Sequence, residues 1–258
     1  MRTAAVSGTI AASVPGAPRM NLILLTQADF VADDRVVLRD RRLTHMLEVH
    51  QPTAGDTLRV GMLNGEVGQG QLLSLDPLSA ELAVRFNQAP PCALPMSLVL
   101  ALPRPKMLKR TLQSIASMGV KDIWLINSYR VDKSYWGSPL LSEEAIQEQL
   151  MLGLEQAGDT VLPQVHLRKR FKPFVEDELP ALAANKRALL AHPYNASPCP
   201  APSTAPTLLA VGPEGGFIQY EVDKLIAAGL SPIHLGPRIL RVETAVPVLL
   251  AKLFPVFA

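Results

Sequence analysis

Short apolar runs and helical periodicity alternate along the C-terminal part of this chain. Runs with the length of a buried strand occupy residues 98–102, 123–126, 187–191, 208–211 and 233–235. Helical patterns lie near residues 107–118, from the N-cap candidate Ser142 onward, and near residues 174–184, 220–228 and 244–254. This alternation predicts an α/β domain with a mainly parallel sheet that is covered by helices.

The N-terminal part has a different pattern, in which short apolar stretches are broken by turn signals. Asn64-Gly65, flanked by apolar residues on both sides, is the strongest hairpin signal in the chain. We therefore predict a small β-barrel domain over residues 20–88, a proline-rich linker over 89–95 and the α/β domain over 96–258. Residues 1–19 are rich in small residues and are predicted to be a disordered extension, and residues 192–206 a surface loop.

Composition narrows the class of protein. The chain has 258 residues, of which 48% are hydrophobic, so disorder and fibrous structure are excluded. Its two cysteines, Cys92 and Cys199, support neither a disulfide framework nor a zinc site, and we expect no metal and a reducing, cytoplasmic location. No apolar run approaches the roughly 18 residues of a membrane span, so we expect no membrane role.

Charge is distributed unevenly, although the formal net charge is only +2. Two dense basic clusters lie in the C-terminal part, one formed by Arg104, Lys106, Lys109 and Arg110, the other by Arg168, Lys169, Arg170 and Lys172. Either cluster could neutralise phosphate groups of a nucleic acid. Charge alone favours the simpler interpretation of a solvated helix face and a solvated loop.

Three loops that contain glycine or proline each follow a predicted strand. They are Leu190-Ala191-His192-Pro193, Gly212-Pro213-Glu214-Gly215-Gly216 and a third that runs from Leu235 to Ala245. Ligands of open α/β sheets bind at the carboxyl ends of the strands, so the three loops together predict one ligand site. Neither the phosphate-loop motif nor the dinucleotide fingerprint is present, which disfavours a nucleotide-binding metabolic enzyme.

The order of these motifs resembles a known bacterial family. A barrel, a linker, Leu-x-His-Pro, Gly-Pro-Glu-Gly-Gly and Leu-Gly-Pro-Arg-Ile-Leu-Arg-x-Glu-Thr-Ala are similar to the small-subunit ribosomal RNA uridine-N3 methyltransferases of the RsmE type. The resemblance covers nearly all of residues 20–258. It implies a trefoil-knotted SPOUT methyltransferase domain, a PUA-like barrel that binds RNA, S-adenosylmethionine as cofactor and a homodimer acting on 16S ribosomal RNA.

The same resemblance assigns roles to individual residues. Those expected to bind the cofactor are Leu190, His192, Pro193, Val211, Gly212, Pro213, Glu214, Gly215, Gly216, Leu235, Gly236, Ile239, Leu240 and Arg241. Those expected to bind RNA are Arg104, Lys106, Lys109, Arg110 and Arg238. Arg241 and Glu243 are expected to be catalytic, because a cation would stabilise charge on uracil and a base would remove its N3 proton. A structural role stays open for Arg241 and a helix-cap role for Glu243, next to the predicted N-cap Thr244 and with Pro247 in the first turn.

Three elements depart from the family pattern, each by loss of a basic residue. Residues 113–120 lack the usual Lys and Glu, residues 155–159 end in Asp159, and residues 45–51 end in Gln51. Two alternatives therefore stay open beside uridine-N3 methylation of 16S ribosomal RNA. One is a SPOUT methyltransferase that acts on another RNA nucleotide, and the other is a non-catalytic RNA-binding or ribosome-assembly protein that retains the fold.

Overall fold

The computed structural model describes residues 21–255, which form two sheets joined by an extended segment. The first sheet has six strands in the order β1-β4-β5-β6-β3-β2. Their bounds are β1 (Ile23–Leu25), β2 (Phe30–Ala32), β3 (Arg35–Leu38), β4 (Thr57–Met62), β5 (Val67–Leu75) and β6 (Ala80–Gln88). Helix α1 (Arg41–His45) continues into a π-helical stretch (Met46–His50) and follows β3. This half has its own apolar core, in which Leu25, Leu38 and Leu82 are fully buried.

The hairpin predicted at Asn64-Gly65 is confirmed. Strands β4 and β5 pair antiparallel on either side of it, and Gly65 N–H donates to the Met62 carbonyl at 2.8 Å. Asn64 has φ of 60°, the left-handed conformation that asparagine adopts more readily than most residues. The turn chemistry of these two residues therefore fixes the register of β4 against β5.

The second sheet is parallel, as the alternating pattern predicted. Its order is β11-β13-β10-β12-β7-β8-β9, and every pairing in it is parallel. The strands are β7 (Met96–Ala101), β8 (Asp122–Ile126), β9 (Gln164–Arg168), β10 (Arg187–Ala191), β11 (Ser197–Pro198), β12 (Thr207–Val211) and β13 (Ser231–His234). The central strands β7 and β12 are buried along their whole length, as expected of a sheet covered on both faces.

Helices cover this sheet and begin and end close to the predicted positions. They are α2 (Pro105–Ser117), α3 (Glu143–Ala157), α4 (Phe171–Pro173), α5 (Leu179–Ala183), α6 (Gln219–Ala227) and α7 (Val242–Leu253), with a π-helical stretch (Phe174–Glu178) joining α4 to α5. Ser142 is the N-cap of α3, as predicted, and its hydroxyl accepts from Ala145 N–H. Helices α2 and α3 pack so closely that a Cβ at Gly153 would lie 2.3 Å from the Gln113 carbonyl oxygen.

The predicted start of α7 was wrong. The N-cap is Arg241 rather than Thr244, and Pro247 lies inside the helix instead of in its first turn. Val242 is buried, so packing extends the helix toward the preceding loop beyond the residue that has the best capping chemistry. Because Pro247 has no N–H, the Glu243 carbonyl loses its intrahelical donor.

Strand β9 was not predicted, and the segment 168–172 was interpreted as a loop. The residues of β9 are polar or only partly buried, so they form no apolar run in the sequence, which is typical of an edge strand. The loop predicted over residues 192–206 contains the two-residue strand β11, paired with β13. Both corrections concern the edges of the sheet, where burial imposes the weakest pattern on the sequence.

The two halves of the chain make direct contact at the end of α3. Leu22 N–H donates to the Glu155 carbonyl at 2.9 Å, and Arg41 binds the Glu155 carboxylate through two hydrogen bonds. Thr160 is fully buried, and its hydroxyl donates to the Gly65 carbonyl. The tip of the hairpin is thus fixed against the segment that follows α3.

Several expectations from the sequence are not tested by the described residues. The disordered extension over residues 1–19 falls outside the described residues, and the barrel closure, the knot and the domain boundaries stay predictions. Within residues 21–255, no helix is long and apolar enough to cross a bilayer. In the same part of the chain, no group of three or more His, Cys, Asp or Glu side chains is placed to hold a metal ion.

Candidate functional site

The three loops line a single cavity of about 640 Å³ at the carboxyl ends of the parallel strands. The first loop (190–193) follows β10, the glycine loop (212–216) follows β12 and the third loop (235–241) follows β13. Strand β10 lies between β12 and β13, so the three loops are neighbours along one edge of the sheet. The volume lies within the roughly 300–1,000 Å³ range of small-molecule sites. The expected convergence of the loops on one site is therefore what the structure shows.

Most of the residues expected to bind the cofactor lie on the cavity wall. The wall includes His192, Pro193, Val211, Gly212, Pro213, Glu214, Gly215, Gly216, Leu235, Gly236, Ile239 and Leu240. Two expected residues are absent from that wall: Leu190 is fully buried within β10, and Arg241 is exposed beside the cavity. Arg238, which was expected to bind RNA, lies on the wall.

Sequence reasoning missed other residues of the wall. These are Arg130, Tyr194, Phe217, Ile218, Gln219, Ile233, His234 and Leu249, while Ala191, Val242 and Ala245 lie within the predicted loops without having been given a role. Several flank the recognised motifs by one or two positions, so wider margins around each loop would have found them. Arg130 has no such signal, since it comes from the loop after β8, whose sequence carries no motif.

Two glycines of the loops require the left-handed region of backbone conformation. Gly216 has φ of 73° and Gly236 has φ of 109°, and a Cβ at either position would meet nothing within 4 Å. The open space beside both residues means that glycine is needed for its backbone conformation and not for tight packing. It also leaves peptide groups of the loops accessible from the cavity.

The cavity offers backbone polar groups on an apolar wall. The Leu235 and Leu240 N–H groups donate no hydrogen bond within residues 21–255, although both residues are partly buried. Phe217, Ile233 and Leu249 supply buried apolar surface to the same wall. Unpaired N–H groups beside a hydrophobic cavity suit a ligand with both a flat apolar ring and hydrogen-bond acceptors.

The charges at the cavity are few. Desolvation lowers the pKa of His192 below its ordinary value of 6.5, so its imidazole is neutral at neutral pH. Glu214 accepts from the Arg104 backbone N–H at 3.2 Å and from Arg104 Nε at 3.4 Å. Arg130 donates to the Gly215 carbonyl. Two arginines from the loops after β7 and β8 therefore hold the outer side of the glycine loop.

The residues expected to be catalytic lie at the start of α7. Arg241 is the exposed N-cap residue, and its side chain makes no hydrogen bond or ion pair within residues 21–255. Glu243 is half-buried in the first turn, where a carboxylate is favoured by the helix dipole. Neither side chain lies on the cavity wall, whereas their neighbours Val242 and Ala245 do.

Basic residues continue along the same carboxyl edge beyond the cavity. Arg104 follows β7, Arg130 follows β8, and Lys169 and Arg170 follow β9. Arg168 differs from these, because it pairs with Glu178 and stacks over the Trp124 ring at 4.7 Å. Lys106, Lys109 and Arg110 are on α2, and their charged groups find no partner in the described part of the chain.

A buried carboxylate connects the loop after β8 to the cavity. Glu221, 3% exposed, accepts from Tyr129 N–H at 2.7 Å and from Ile218 N–H at 3.1 Å. Ile218 lies on the cavity wall and is the N-cap residue of α6. Glu221 therefore fixes α6 and the loop of Tyr129 and Arg130 relative to each other.

The fold and the cavity together define the class of protein: an α/β protein whose ligand site is built by loops at the carboxyl edge of a parallel sheet. Comparison with known families is more specific. The model of the RNA methyltransferase domain matches residues 90–254, and the chain belongs to that family. The family expected from the motifs is thereby confirmed.

Individual relatives match over most of their length. Ribosomal RNA small subunit methyltransferase E of Treponema pallidum is 28% identical over 232 residues, which cover 88% of this chain and 87% of the relative. The protein of the same name from Synechocystis is 27% identical over 248 residues, or 89% of this chain and 76% of the relative.

Solved structures agree on the fold. The crystal structure of ribosomal RNA small subunit methyltransferase E from Neisseria gonorrhoeae, bound to S-adenosyl methionine, superposes with a TM-score of 0.71 at 22% identity. The match covers 90% of this chain and 95% of that one. The chain therefore has the fold of that enzyme, which is the fold class that the motif resemblance implied.

Proposed function

We propose that this protein transfers a methyl group from S-adenosylmethionine to N3 of a uridine in 16S ribosomal RNA. The observation that carries the proposal is the convergence of three motif-bearing loops on one cavity within an RNA methyltransferase domain. The names of the relatives from Treponema pallidum and Synechocystis supply the ribosomal small subunit as target. Uridine N3 as the accepting atom follows from the motif resemblance.

The cavity suits the proposed cofactor. Apolar surface from Phe217, Ile233 and Leu249 would pack against the adenine ring, and the free N–H groups of Leu235 and Leu240 would donate to its ring nitrogens or to the ribose. When bound, the cofactor supplies a methyl group already activated by its sulfonium charge. A neutral His192 adds no positive charge to oppose that sulfonium.

The accepting base requires chemistry that the cofactor does not supply. Uracil N3 carries a weakly acidic proton, which must leave before or during methyl transfer, and negative charge then develops on the ring. An unpaired Arg241 at the edge of the cavity would stabilise that charge, and the nearby N-terminus of α7 would add to the positive potential. Glu243 would take the proton if it swings toward the cavity, and in its present position it favours the start of the helix.

Basic residues beside the cavity would hold the RNA backbone. Three basic residues on α2 have no protein partner among residues 21–255: Lys106, Lys109 and Arg110. Helix α2 follows β7 and so begins at the same carboxyl edge of the sheet as the cavity. Arg104 contributes differently, because it binds Glu214 and so supports the glycine loop. Phosphate contacts of this kind give affinity and register, while the choice of nucleotide depends on contacts with the base.

The assembly and location of the protein are further parts of the proposal. Following the family, we propose a homodimer in the cytoplasm, with a PUA-like barrel over residues 20–88, a linker over 89–95 and a knotted methyltransferase domain over 96–258. Ile239 on the cavity rim is 73% exposed, which suits a surface that a second copy would cover. Light scattering at micromolar concentration would measure the mass directly.

An assay of methyl transfer tests the proposal. The purified protein is incubated with methyl-labelled S-adenosylmethionine and small ribosomal subunits from cells that lack the enzyme, and the RNA nucleosides are separated by mass spectrometry. Labelled 3-methyluridine supports the proposal. Label on another nucleoside would establish the first alternative, and RNA binding without any transfer would establish the non-catalytic alternative.

A further inference from the structure

Three of the four tyrosines of the chain are unusually exposed. The exposed fractions are 78% for Tyr129, 63% for Tyr194 and 50% for Tyr220. A tyrosine ring carries large apolar faces, so its exposure leaves considerable apolar surface in contact with water. Single exposed apolar residues are ordinary, whereas several that lie around one site mark a place where a partner binds.

Two of these tyrosines flank the cavity at the same edge of the sheet. Tyr194 is on the cavity wall and follows β10, while Tyr129 follows β8 and precedes the wall residue Arg130. Between β10 and β8 lie β12, which carries the glycine loop, and β7. Three strand spacings separate the ends of β10 and β8 by about 14 Å, so the tyrosines stand on opposite sides of the glycine loop.

Both tyrosines are held in place by contacts, through the backbone for Tyr129 and through one ring contact for Tyr194. The Tyr129 N–H donates to the buried Glu221 carboxylate at 2.7 Å, and the next residue, Arg130, donates to the Gly215 carbonyl. The Tyr194 ring meets His192 edge-on, with ring centroids 5.9 Å apart. The Tyr220 ring is different, because Lys224 lies over it at 5.8 Å.

We propose that Tyr129 and Tyr194 form an aromatic rim on which unpaired bases of the RNA stack, so that the substrate is a single-stranded or splayed-out segment. The proposal rests on the proposed function for its target and adds the form of RNA that the site accepts. A base in a duplex exposes no face, whereas an unpaired base can stack on an aromatic side chain. Target bases that are already unpaired also avoid the free-energy cost of extrusion from a helix.

Charge around the rim is compatible with this partner. Arg238 on the cavity wall and Lys169 and Arg170 after β9 lie along the same edge and would contact phosphates on either side of the stacked bases. Phosphate contacts alone favour a duplex, because its charge density is higher than that of a single strand. A preference for single-stranded RNA would therefore come from stacking and not from charge.

The test compares RNA affinity across matched variants of the full-length protein. Fluorescence anisotropy measures binding of a labelled ten-nucleotide uridine-containing RNA, single-stranded or annealed to its complement, at one fixed salt concentration. We expect the wild type to favour the single strand, and Tyr129→Ala and Tyr194→Ala each to weaken single-strand binding by about tenfold, as stacking energies imply. Tyr129→Phe and Tyr194→Phe keep the ring and should stay within twofold of wild type.

Tyr220→Ala is the matched control. It removes a ring of the same size that is half exposed but has Lys224 over it. Equal losses in all three alanine variants, or no loss in Tyr129→Ala and Tyr194→Ala, would overturn the proposal. So would a reduced mass of these variants in light scattering, which would place the rings in a dimer contact. Loss of cofactor affinity in Tyr194→Ala, measured by calorimetry, would assign that ring to the cofactor instead.

The rim and the proposed function can fail separately. If no methyl group is transferred but the alanine variants lose single-strand affinity, the methyltransferase activity fails and the rim stands. If 3-methyluridine forms at wild-type rate and affinity in Tyr129→Ala and Tyr194→Ala, the rim fails and the activity stands.

Discussion

Replacing Glu221 with alanine should destabilise the protein and loosen two segments at once. Glu221 is 3% exposed, and its carboxylate accepts from the Tyr129 N–H and the Ile218 N–H. Alanine leaves both N–H groups without their acceptor. The loop after β8 and the first turn of α6 then lose the contact that joins them.

The size of the effect follows from these two contacts. A hydrogen bond to a charged group contributes about 1.5–3 kcal/mol, so the pair contributes about 3–6 kcal/mol. Against this, alanine removes the cost of keeping a carboxylate away from water, which is several kcal/mol for a buried ion. We expect a net loss of about 2 kcal/mol, similar to the loss of a good helix cap.

Urea denaturation and hydrogen exchange measure the two consequences. For an m value of about 3 kcal/mol per molar urea, a loss of about 2 kcal/mol lowers the midpoint by about 0.7 M. The Tyr129 and Ile218 amides should exchange faster in Glu221→Ala than in wild type. Asp223→Ala, at an exposed position of the same helix, should change stability by less than about 0.5 kcal/mol.

A Glu221→Ala variant that unfolds at the wild-type midpoint and keeps slow exchange at both amides would refute the reasoning. It would mean that water replaces the carboxylate at no cost. Glu221→Gln, which retains one acceptor oxygen, should lie between wild type and alanine. A midpoint for glutamine below that of alanine would show that the amide group repels one of the two N–H donors.

Three further predictions concern the cavity. Arg241→Ala should lower the turnover number at least tenfold in kinetic assays. The cofactor dissociation constant should stay within twofold, because the exposed side chain lies outside the cavity wall. An unchanged turnover number would remove the role assigned to Arg241. Cofactor affinity should be constant at neutral pH and weaken in acid, once the pH falls below the lowered pKa of His192, because a protonated imidazole opposes the sulfonium. His192→Gln should flatten this pH profile in calorimetry. Gly236 has φ of 109°, so Gly236→Ala should cost about 1–3 kcal/mol of backbone strain in urea denaturation and weaken cofactor binding in calorimetry. Gly137→Ala is the control, because Gly137 is exposed with equally open space, and it should change neither stability nor cofactor affinity.

Much of the fold followed from periodicity because the sheet is parallel and buried. Its central strands β7 and β12 are apolar at most positions, so each stands out as a run between helical patterns. The start of α7 was predicted from capping chemistry at Thr244, but buried Val242 extends the helix to Arg241. Local propensity was outweighed there by tertiary packing, which the sequence does not display position by position.

The candidate site was predictable as three loops but not as a complete wall. Glycines and prolines mark turns, and the strand edge brings turns together, so His192, Gly212 and Gly236 could be named in advance. Tyr129 and Arg130 come from the loop after β8, which has no sequence motif. The structure places this loop beside the glycine loop. Long-range placement of this kind depends on strand order, which periodicity leaves open.

One of the changed positions that first suggested a different RNA target, Asp159, has a local structural explanation. Glu155, in the same element, keeps the family's residue and pairs with Arg41 of the N-terminal half, with its Oε1 2.7 Å from the nearest guanidinium nitrogen. Asp159, where the family pattern has a basic residue, lies 2.6 Å from Lys121 Nζ and is 3% exposed. A basic side chain at position 159 would place two cations together in a buried site, so the contact with Lys121 requires an acidic residue there. The acidic residue at position 159 is therefore explained by its buried contact with Lys121 inside the α/β half, and this change gives no support to loss of catalysis.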